Sequence, residues 1–369
     1  MLNDSLARSS ELFMYIAALI YTVVFIAFTS DVVANSRVTR RLEGRSEGTA
    51  QKPSVKAKIK VGAGAVSGAS ATANTAADTV RTGGTEQGTG ERGMGYKGAA
   101  ARALEGEVAD SAMLYTGVRR PAARIAVVVM VLAALVHTAA VIMRGIAAQR
   151  VPWGNMYEFC TTGALMVSAV FLITLIFRDV RFVGTLVSGL VLIMLCAAPI
   201  GFPTPVGHLK PALQSYWLVI HVSIAVLASG VFTITFAMAV LLVQTRREQR
   251  ILNGKSGGWA FMRLVPSAQA LENFAFRMNA LAFVMWTFTL AAGAIWANHA
   301  WGRYWGWDTK EVWTFVIWVV YAAYLHARAT RGWAGPRSAW LSIIGYACII
   351  FNFTVVNIFF SGLHSYSGL

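Results

Sequence analysis

Apolar residues in this chain are collected into long runs that are separated by shorter polar segments. Eight runs of roughly 20 residues occupy 12–34, 124–147, 156–177, 181–200, 216–244, 279–297, 311–327 and 338–360. About 20 apolar residues in a helix span the ~30 Å hydrocarbon core of a bilayer. Because lipid offers no hydrogen bonds to the backbone, runs of this length are expected to be helical. The pattern predicts an all-α, polytopic membrane protein with about eight transmembrane helices.

The composition supports the same class of protein. Hydrophobic residues make up 56% of the 369 residues and charged residues only 13%, whereas soluble domains carry roughly 25% charged residues. The first run is not expected to be a cleavable signal, because Glu11 precedes it and Arg37 follows it. All three cysteines lie inside apolar runs without a Cys-x-x-Cys pair, which argues against a thiol relay or a metal cage.

Positive charge is concentrated in the segments on one side of the predicted membrane. The net charge is +15, and most Lys and Arg lie in 35–123, 178–181, 245–278 and 328–337. The segments on the opposite side carry few basic residues, namely Arg8, Arg150, Lys210, Arg303 and Lys310. Since positive loops stay in the cytoplasm, both termini are expected on the extracytoplasmic side of the membrane. The basic composition is interpreted as a topology signal and not as nucleic-acid binding.

The chain divides into three regions. Residues 1–34 are predicted to form an N-terminal transmembrane helix, 35–123 a mostly disordered cytoplasmic linker, and 124–369 a seven-helix core. The linker is rich in Gly, Ala, Thr and Ser, so it cannot bury enough apolar surface to offset the entropy of ordering. A short amphipathic stretch near 99–115 is a candidate to rest on the bilayer. Function is expected in the core, at its external loops and the outer ends of its helices.

Histidines are the first candidates for chemistry in and beside the predicted spans. His137 lies near the middle of the second run and His326 near the cytoplasmic end of the seventh, whereas His221 and His364 lie at the outer side. A polar ring inside a membrane is costly unless it is paired or ligated. Two histidines at matching depth can supply both axial nitrogens to one haem iron. Hydrogen bonding to a neighbouring helix is the alternative, and the spacing alone pairs none of them.

The second candidate is an external aromatic loop at 296–313. It contains five tryptophans and one tyrosine in 18 residues, interleaved with glycines. An interfacial belt accounts for one or two such rings at each helix end, but not for this density. Wide aromatic faces on a permissive backbone suit a flat, apolar, macrocyclic ligand. The loop is predicted to hold such a ligand.

Polar residues at the helix starts have simpler explanations. Asp308 and Glu311 have the spacing of a capping box at the start of the seventh span. Arg303 and Lys310 are candidates to neutralise haem propionates, although anchoring at the membrane interface explains them equally well. Pro152 and Gly154 predict a turn before the third span.

The loop resembles a known family signature. The stretch Trp301-Gly-Arg-Tyr-Trp-Gly-Trp-Asp308, followed by Lys310 and Glu311, resembles the tryptophan-rich "WWD" signature of haem-handling proteins, most closely that of the CcsA/ResC-type component of the system II cytochrome c synthase. The stretches 152–158 and 214–221 and the terminal His364 support the resemblance, which covers about 124–369. The linker has no recognised counterpart.

The resemblance implies roles for individual residues. His221 and His364 match the two external axial ligands of haem, and His137 and His326 match the two transmembrane haem ligands. The implied macrocycle-binding residues are Trp301, Tyr304, Trp305, Trp307 and Asp308. Tyr304 departs from the double tryptophan of the family but keeps an aromatic face. His208 and His299 match no ligand.

The resemblance also implies a reaction. Haem b, held reduced as the substrate, is joined through its vinyl groups to the two thiols of a C-x-x-C-H motif in apocytochrome c, with a ResB-type membrane subunit as partner. The chain itself would contribute positioning rather than a catalytic nucleophile. Three alternatives remain open: a haem-delivery component of system I maturation, a bis-His b-type respiratory cytochrome subunit, and a transporter or scaffold whose tryptophans are merely interfacial.

Overall fold

The computed structural model describes residues 4–50, 110–115, 120–207, 213–255, 258–330 and 333–364. All regular structure in these ranges is helical. The helices are α1 Asp4–Ala50, α2 Pro121–Ala148, α3 Met156–Phe177, α4 Gly184–Gly201, α5 Tyr216–Ala237, α6 Val240–Leu252, α7 Ala268–Trp301, α8 Thr309–Ala329, α9 Pro336–Phe353 and α10 Val355–Phe359. Short 3₁₀ turns at Arg181–Val183 and Ala260–Leu264 precede α4 and α7.

Among the described residues, eight helical stretches are long and apolar enough to cross a membrane. The prediction of an all-α protein with about eight transmembrane helices is therefore confirmed. The main difference lies in α7, which begins at Ala268 and not near 279. The charged residue Glu272 lowers the hydropathy of this first part of the helix, so the apolar run begins later than the helix does. Its buried carboxylate accepts from the Gly335 amide at 2.7 Å and lies 2.8 Å from Arg328.

Helix α1 lies along α2 and forms part of the bundle. Its buried side chains repeat every three or four residues, as expected for one face of a helix, and they are Met14, Ala17, Tyr21, Val24 and Phe28. The α2 face against it is built from small residues such as Ala133 and Ala140, which allow two helices to approach closely in a membrane. The Ser10 hydroxyl donates to the Ala140 carbonyl at 2.9 Å.

The predicted linker is only partly described. Residues 35–50 continue α1 beyond its predicted end at 34. Residues 110–115 contact the chain between α3 and α4, where the Asp179 amide donates to the Met113 carbonyl at 2.7 Å. Buried Arg120, at the end of the linker, pairs with buried Asp31 of α1. The remainder of the linker, including most of the candidate amphipathic stretch, lies outside the described residues.

A buried ion cluster fixes the loop between α2 and α3. The fully buried Glu158 carboxylate is 3.1 Å from Arg144 and 2.7 Å from Arg150, and it accepts from the Gly154 amide at 2.8 Å. Arg144 also donates to the Thr204 carbonyl at 2.8 Å. Buried charges persist only when they are paired and hydrogen-bonded. The cluster therefore holds the start of α3 and the chain after α4 in one arrangement.

Candidate functional site

A cavity of about 220 Å³ lies between α3, α5, α7 and α9, beneath the loop that connects α7 to α8. We call it the aromatic cavity. Its walls are mainly apolar and aromatic, and they include Trp296, Tyr304 and Trp305. His221, Lys310 and His364 also line it, together with a few amide and hydroxyl groups. An apolar pocket with a few convergent polar groups is the usual form of a small-molecule site.

His221 enters the cavity from α5. Its position, five residues after the helix start at Tyr216, places it roughly 8 Å along the helix axis. Its Nδ1 lies 2.9 Å from the Thr289 carbonyl oxygen of α7, and a carbonyl only accepts, so Nδ1 carries the proton. A histidine oriented in this way keeps the Nε2 lone pair for a metal ion. The ring packs against Gly293, which leaves room for it by lacking a side chain.

His364 enters the cavity from the opposite side, after α10. Its Nδ1 donates to the Asp308 carboxylate at 2.7 Å, and the other carboxylate oxygen accepts from the Leu363 amide at 3.1 Å. The hydrogen bond from His364 lowers the pKa of the Asp308 carboxyl below its ordinary value. A carboxylate on one imidazole nitrogen is the arrangement that orients metal-binding histidines. Asp308 thus positions His364, a role beyond the cap that its spacing predicts.

Trp296 joins the two histidines. Its indole stacks on the His221 ring with centroids 5.9 Å apart and planes 12° apart. The edge of the same indole meets the His364 ring at 5.4 Å, and Trp301 contacts His364 at 4.8 Å. Residues far apart in the sequence are therefore brought to one side chain at one end of the bundle.

The loop above the cavity is held by the predicted capping box, which the structure confirms. Glu311 accepts from the backbone amides of Gly306 at 2.8 Å and of Asp308 at 3.1 Å. The Arg303 guanidinium lies 3.6 Å from the Glu311 carboxylate and packs over Gly306. Trp307 has a φ of 60°, in the left-handed region that bulky residues rarely adopt. These contacts fix where each ring of the loop points.

The aromatic rings of the loop divide into two groups. Trp305 and Tyr304 line the cavity, and Tyr304 is 61% exposed at its mouth. Trp301 reaches the cavity through its contact with His364. Trp307 is 75% exposed, touches the edge of Trp305 and does not line the cavity. The structure therefore places Trp307, unlike Tyr304 and Trp305, away from the aromatic cavity.

The two inner histidines do not meet. His137 is fully buried against the Tyr21 ring, 5.8 Å away, and neither ring nitrogen makes a hydrogen bond of normal geometry, although the Thr161 backbone of α3 is near. His326 is exposed near the inner end of α8. Along their helices, His137 is roughly 16 Å and His326 roughly 25 Å from the end that carries the loop. The expected transmembrane pair is thus not assembled within the described residues.

Of the other two histidines, one lies away from the cavity and one lies outside the described residues. His299 is exposed, with its ring bonded to the Ile295 carbonyl of its own helix at 2.9 Å. His208 lies outside the described residues.

Several cavity residues were not predicted from the sequence. Trp296 was taken only as the start of the aromatic loop, and Thr289 and Gly293 were not singled out. The three occur at i, i+4 and i+7, so they share one face of α7. That face of a predicted helix, continuing into the loop, is the signal that would have identified them.

We expect Gly293→Ala to weaken binding of the haem ligand that the sequence predicts, without unfolding the protein. A Cβ at this position would lie 2.7 Å from Cε1 and 2.9 Å from Nδ1 of His221, so the imidazole must move. The ratio of haem absorbance to protein in the purified variant measures the effect. Gly201→Ala is the matched control, because a Cβ there meets nothing within 4 Å. Equal haem content in both variants would show that His221 tolerates displacement.

The proteins similar to this chain are named for cytochrome c assembly and biogenesis. The model of a family described as cytochrome C assembly protein matches residues 124–364. A cytochrome c biogenesis protein CcsA from Guillardia theta is 34% identical over 235 residues, covering 59% of this chain and 77% of the relative. The protein of that name from Synechococcus elongatus is 33% identical over 277 residues, covering 64% of this chain and 85% of the relative.

The family match spans α2 to His364 and contains every described residue that lines the aromatic cavity. Eight candidate transmembrane helices among the described residues agree with a membrane location. The family handles haem and apocytochrome in cytochrome c biogenesis, and a cavity with two available imidazoles fits that task. The chain therefore belongs to the cytochrome c assembly family and is a CcsA-type, multi-pass membrane protein of cytochrome c biogenesis.

Proposed function

We propose that this chain is the haem-handling subunit of a system II cytochrome c synthase, which presents reduced haem b on the outer face of the membrane for attachment to apocytochrome c. The observation that carries the proposal is the convergence of His221 and His364 on Trp296 in the aromatic cavity. Each imidazole has its Nδ1 engaged and its Nε2 available. Two imidazoles are a suitable axial pair for haem iron.

The charges around the cavity suit the propionates of haem. Among the described residues, the Lys310 side-chain nitrogen donates to two amide oxygens, Asn352 O at 3.2 Å and Asn357 Oδ1 at 2.5 Å. An ammonium has three donors, so one remains for a ligand carboxylate. Arg303 is already paired with Glu311, which makes Lys310 the better candidate. The apolar rings of Trp296, Tyr304 and Trp305 would hold the macrocycle.

Catalysis in this proposal is positioning. In each attachment, a cysteine S–H adds across a haem vinyl group. The sulfur bonds to the vinyl carbon next to the ring, and the proton ends on the terminal carbon. The nucleophiles belong to the substrate, so the protein supplies local concentration and orientation. A ResB-type membrane subunit is the proposed partner, and apocytochrome c is the second substrate.

His137 and His326 are proposed as the transmembrane haem ligands on the inner route. Among the described residues, the buried ring of His137 makes no hydrogen bond of normal geometry, and a polar ring in that state is costly unless it is ligated. His326 is exposed near the inner end of α8.

The distribution of charge supports the outer location. The end of the bundle opposite the aromatic cavity carries Arg178, Arg246, Arg247, Lys255 and Arg337, as expected for the cytoplasmic side. Both termini and the cavity mouth then face outward from the plasma membrane of a bacterium.

A cysteine at Tyr304 is expected to react with a membrane-impermeant maleimide in intact cells, because this side chain is 61% exposed at the cavity mouth. Lys255→Cys, in the exposed loop after α6, should react only after the membrane is permeabilised. Both substitutions belong in a Cys196→Ser background, since Cys196 is exposed. The opposite labelling pattern would reverse the topology and place the cavity in the cytoplasm.

A further inference from the structure

Asn357 of α10 connects three walls of the aromatic cavity through one side chain. Its Oδ1 accepts from the Lys310 ammonium of α8 at 2.5 Å. Its Nδ2 donates to the Met156 sulfur at the start of α3, 3.1 Å away, and to the Phe353 carbonyl of α9 at 2.8 Å. The orientation of the amide is determined, because the Phe353 carbonyl can only accept and therefore faces Nδ2.

Asn357 lies in the part of the chain that leads to His364. The helical chain breaks at Thr354 and ends at Phe359, and His364 follows in a segment of turns. The first turn of α8 holds this part of the chain at two points. Asp308 binds His364 and the Leu363 amide, and Lys310 binds Asn357 seven residues earlier.

Met156, which accepts from the Asn357 amide, is also held in place. Met156 is buried and begins α3, two residues before Glu158 in the buried ion cluster. The break after α9 leaves the Asn352 carbonyl available, and Lys310 binds it at 3.2 Å. Asn357 thus ties the short helix α10 to the first turn of α8 and to the start of α3, which the buried ion cluster holds.

We propose that Asn357 is a positioning residue for His364: by linking Lys310 to Met156, it sets the place from which the terminal segment delivers the imidazole to haem iron. This inference rests on the proposed function, since it takes His364 to be an axial ligand. An amide suits the position because it accepts and donates at once. Aspartate can replace only the acceptor, and leucine replaces neither.

The test compares Asn357→Leu, Asn357→Asp and His364→Ala in the full-length protein purified with haem. Phe359→Leu is the control, because Phe359 lies on the same short helix and is 75% exposed. Haem content and the low-spin absorbance spectrum of bis-imidazole iron are measured with and without free imidazole. A merely structural role would lower the yield of protein and leave the spectrum of the remaining haem unchanged.

We expect Asn357→Leu to bind haem roughly tenfold more weakly, as for the loss of a hydrogen bond to a charged group, and to lose the low-spin spectrum. Free imidazole should restore that spectrum, as it should in His364→Ala. Asn357→Asp should show a smaller loss, and Phe359→Leu none. A wild-type spectrum in Asn357→Leu overturns the inference.

If the leucine variant does not accumulate, the aspartate variant decides, and a wild-type spectrum there overturns the inference equally. The variants distinguish failure of the proposed function from failure of the positioning role. Unchanged ligation in His364→Ala would refute the proposed ligand itself, whatever Asn357 does. Loss in His364→Ala together with wild-type ligation in the Asn357 variants would refute only the positioning role.

Discussion

Alanine at His221 or His364 is expected to abolish the low-spin haem spectrum and to reduce holocytochrome c to near the background level. Each imidazole is oriented by a partner on Nδ1, Thr289 or Asp308, and both residues line the same cavity. Loss of such an orienting partner costs roughly 10- to 100-fold in metal affinity. Loss of the ligand itself should cost at least as much.

The measurement is the spectrum of the purified variants, paired with a haem stain of c-type cytochromes in the same cells. His299→Ala is the matched control, because His299 is an exposed histidine of α7 whose ring bonds to the Ile295 carbonyl and does not line the aromatic cavity. Free imidazole should partly restore the spectrum of each ligand variant, because it can fill the vacated coordination position. Full synthesis of holocytochrome c in both His221→Ala and His364→Ala would rule out the external ligand pair.

The second large effect is expected at Trp305. This ring lines the aromatic cavity, so Trp305→Ala removes a wide apolar surface from the proposed haem site. Burial of an aromatic side chain against a ligand contributes on the order of 2 kcal/mol, which corresponds to roughly 30-fold in haem affinity. Trp307→Ala should have little effect on haem content, because Trp307 is 75% exposed and lies outside the cavity.

The comparison of these two tryptophans separates haem binding from membrane anchoring. Both belong to one loop and touch each other, with centroids 5.8 Å apart. Haem titration of the two purified variants, normalised to folded protein, gives the affinity ratio. Equal affinities in the two variants would assign Trp305 to the interfacial belt and leave the loop without a specific contact to the macrocycle.

The helices were predictable because each apolar run has the length that a bilayer requires. The packing of the helices against each other was harder to predict from the sequence. Helix α1 follows the first run, but nothing in its composition indicates that Tyr21 lies against His137. The start of α7 was missed because Glu272 looks like a surface residue in sequence, whereas the structure satisfies its buried carboxylate with α8 and the start of α9.

Only part of the candidate site could likewise be predicted from the sequence. The aromatic loop and its capping box could be predicted because they are contiguous in sequence. The partnership of His221 with His364 could not be derived from spacing, since it depends on how α5, α7 and the terminal segment meet at Trp296. The same limit applies to Asn357, whose role arises entirely from contacts with distant residues.

The central claim is that this protein acts in the covalent attachment of haem to cytochrome c. The direct test is a haem stain of denatured membranes after depletion of the protein, with b-type haem quantified in parallel. Covalent haem survives denaturation and b-type haem does not. We expect c-type cytochromes to disappear while b-type haem persists. Persistence of c-type cytochromes would contradict it and would favour a b-type cytochrome subunit instead.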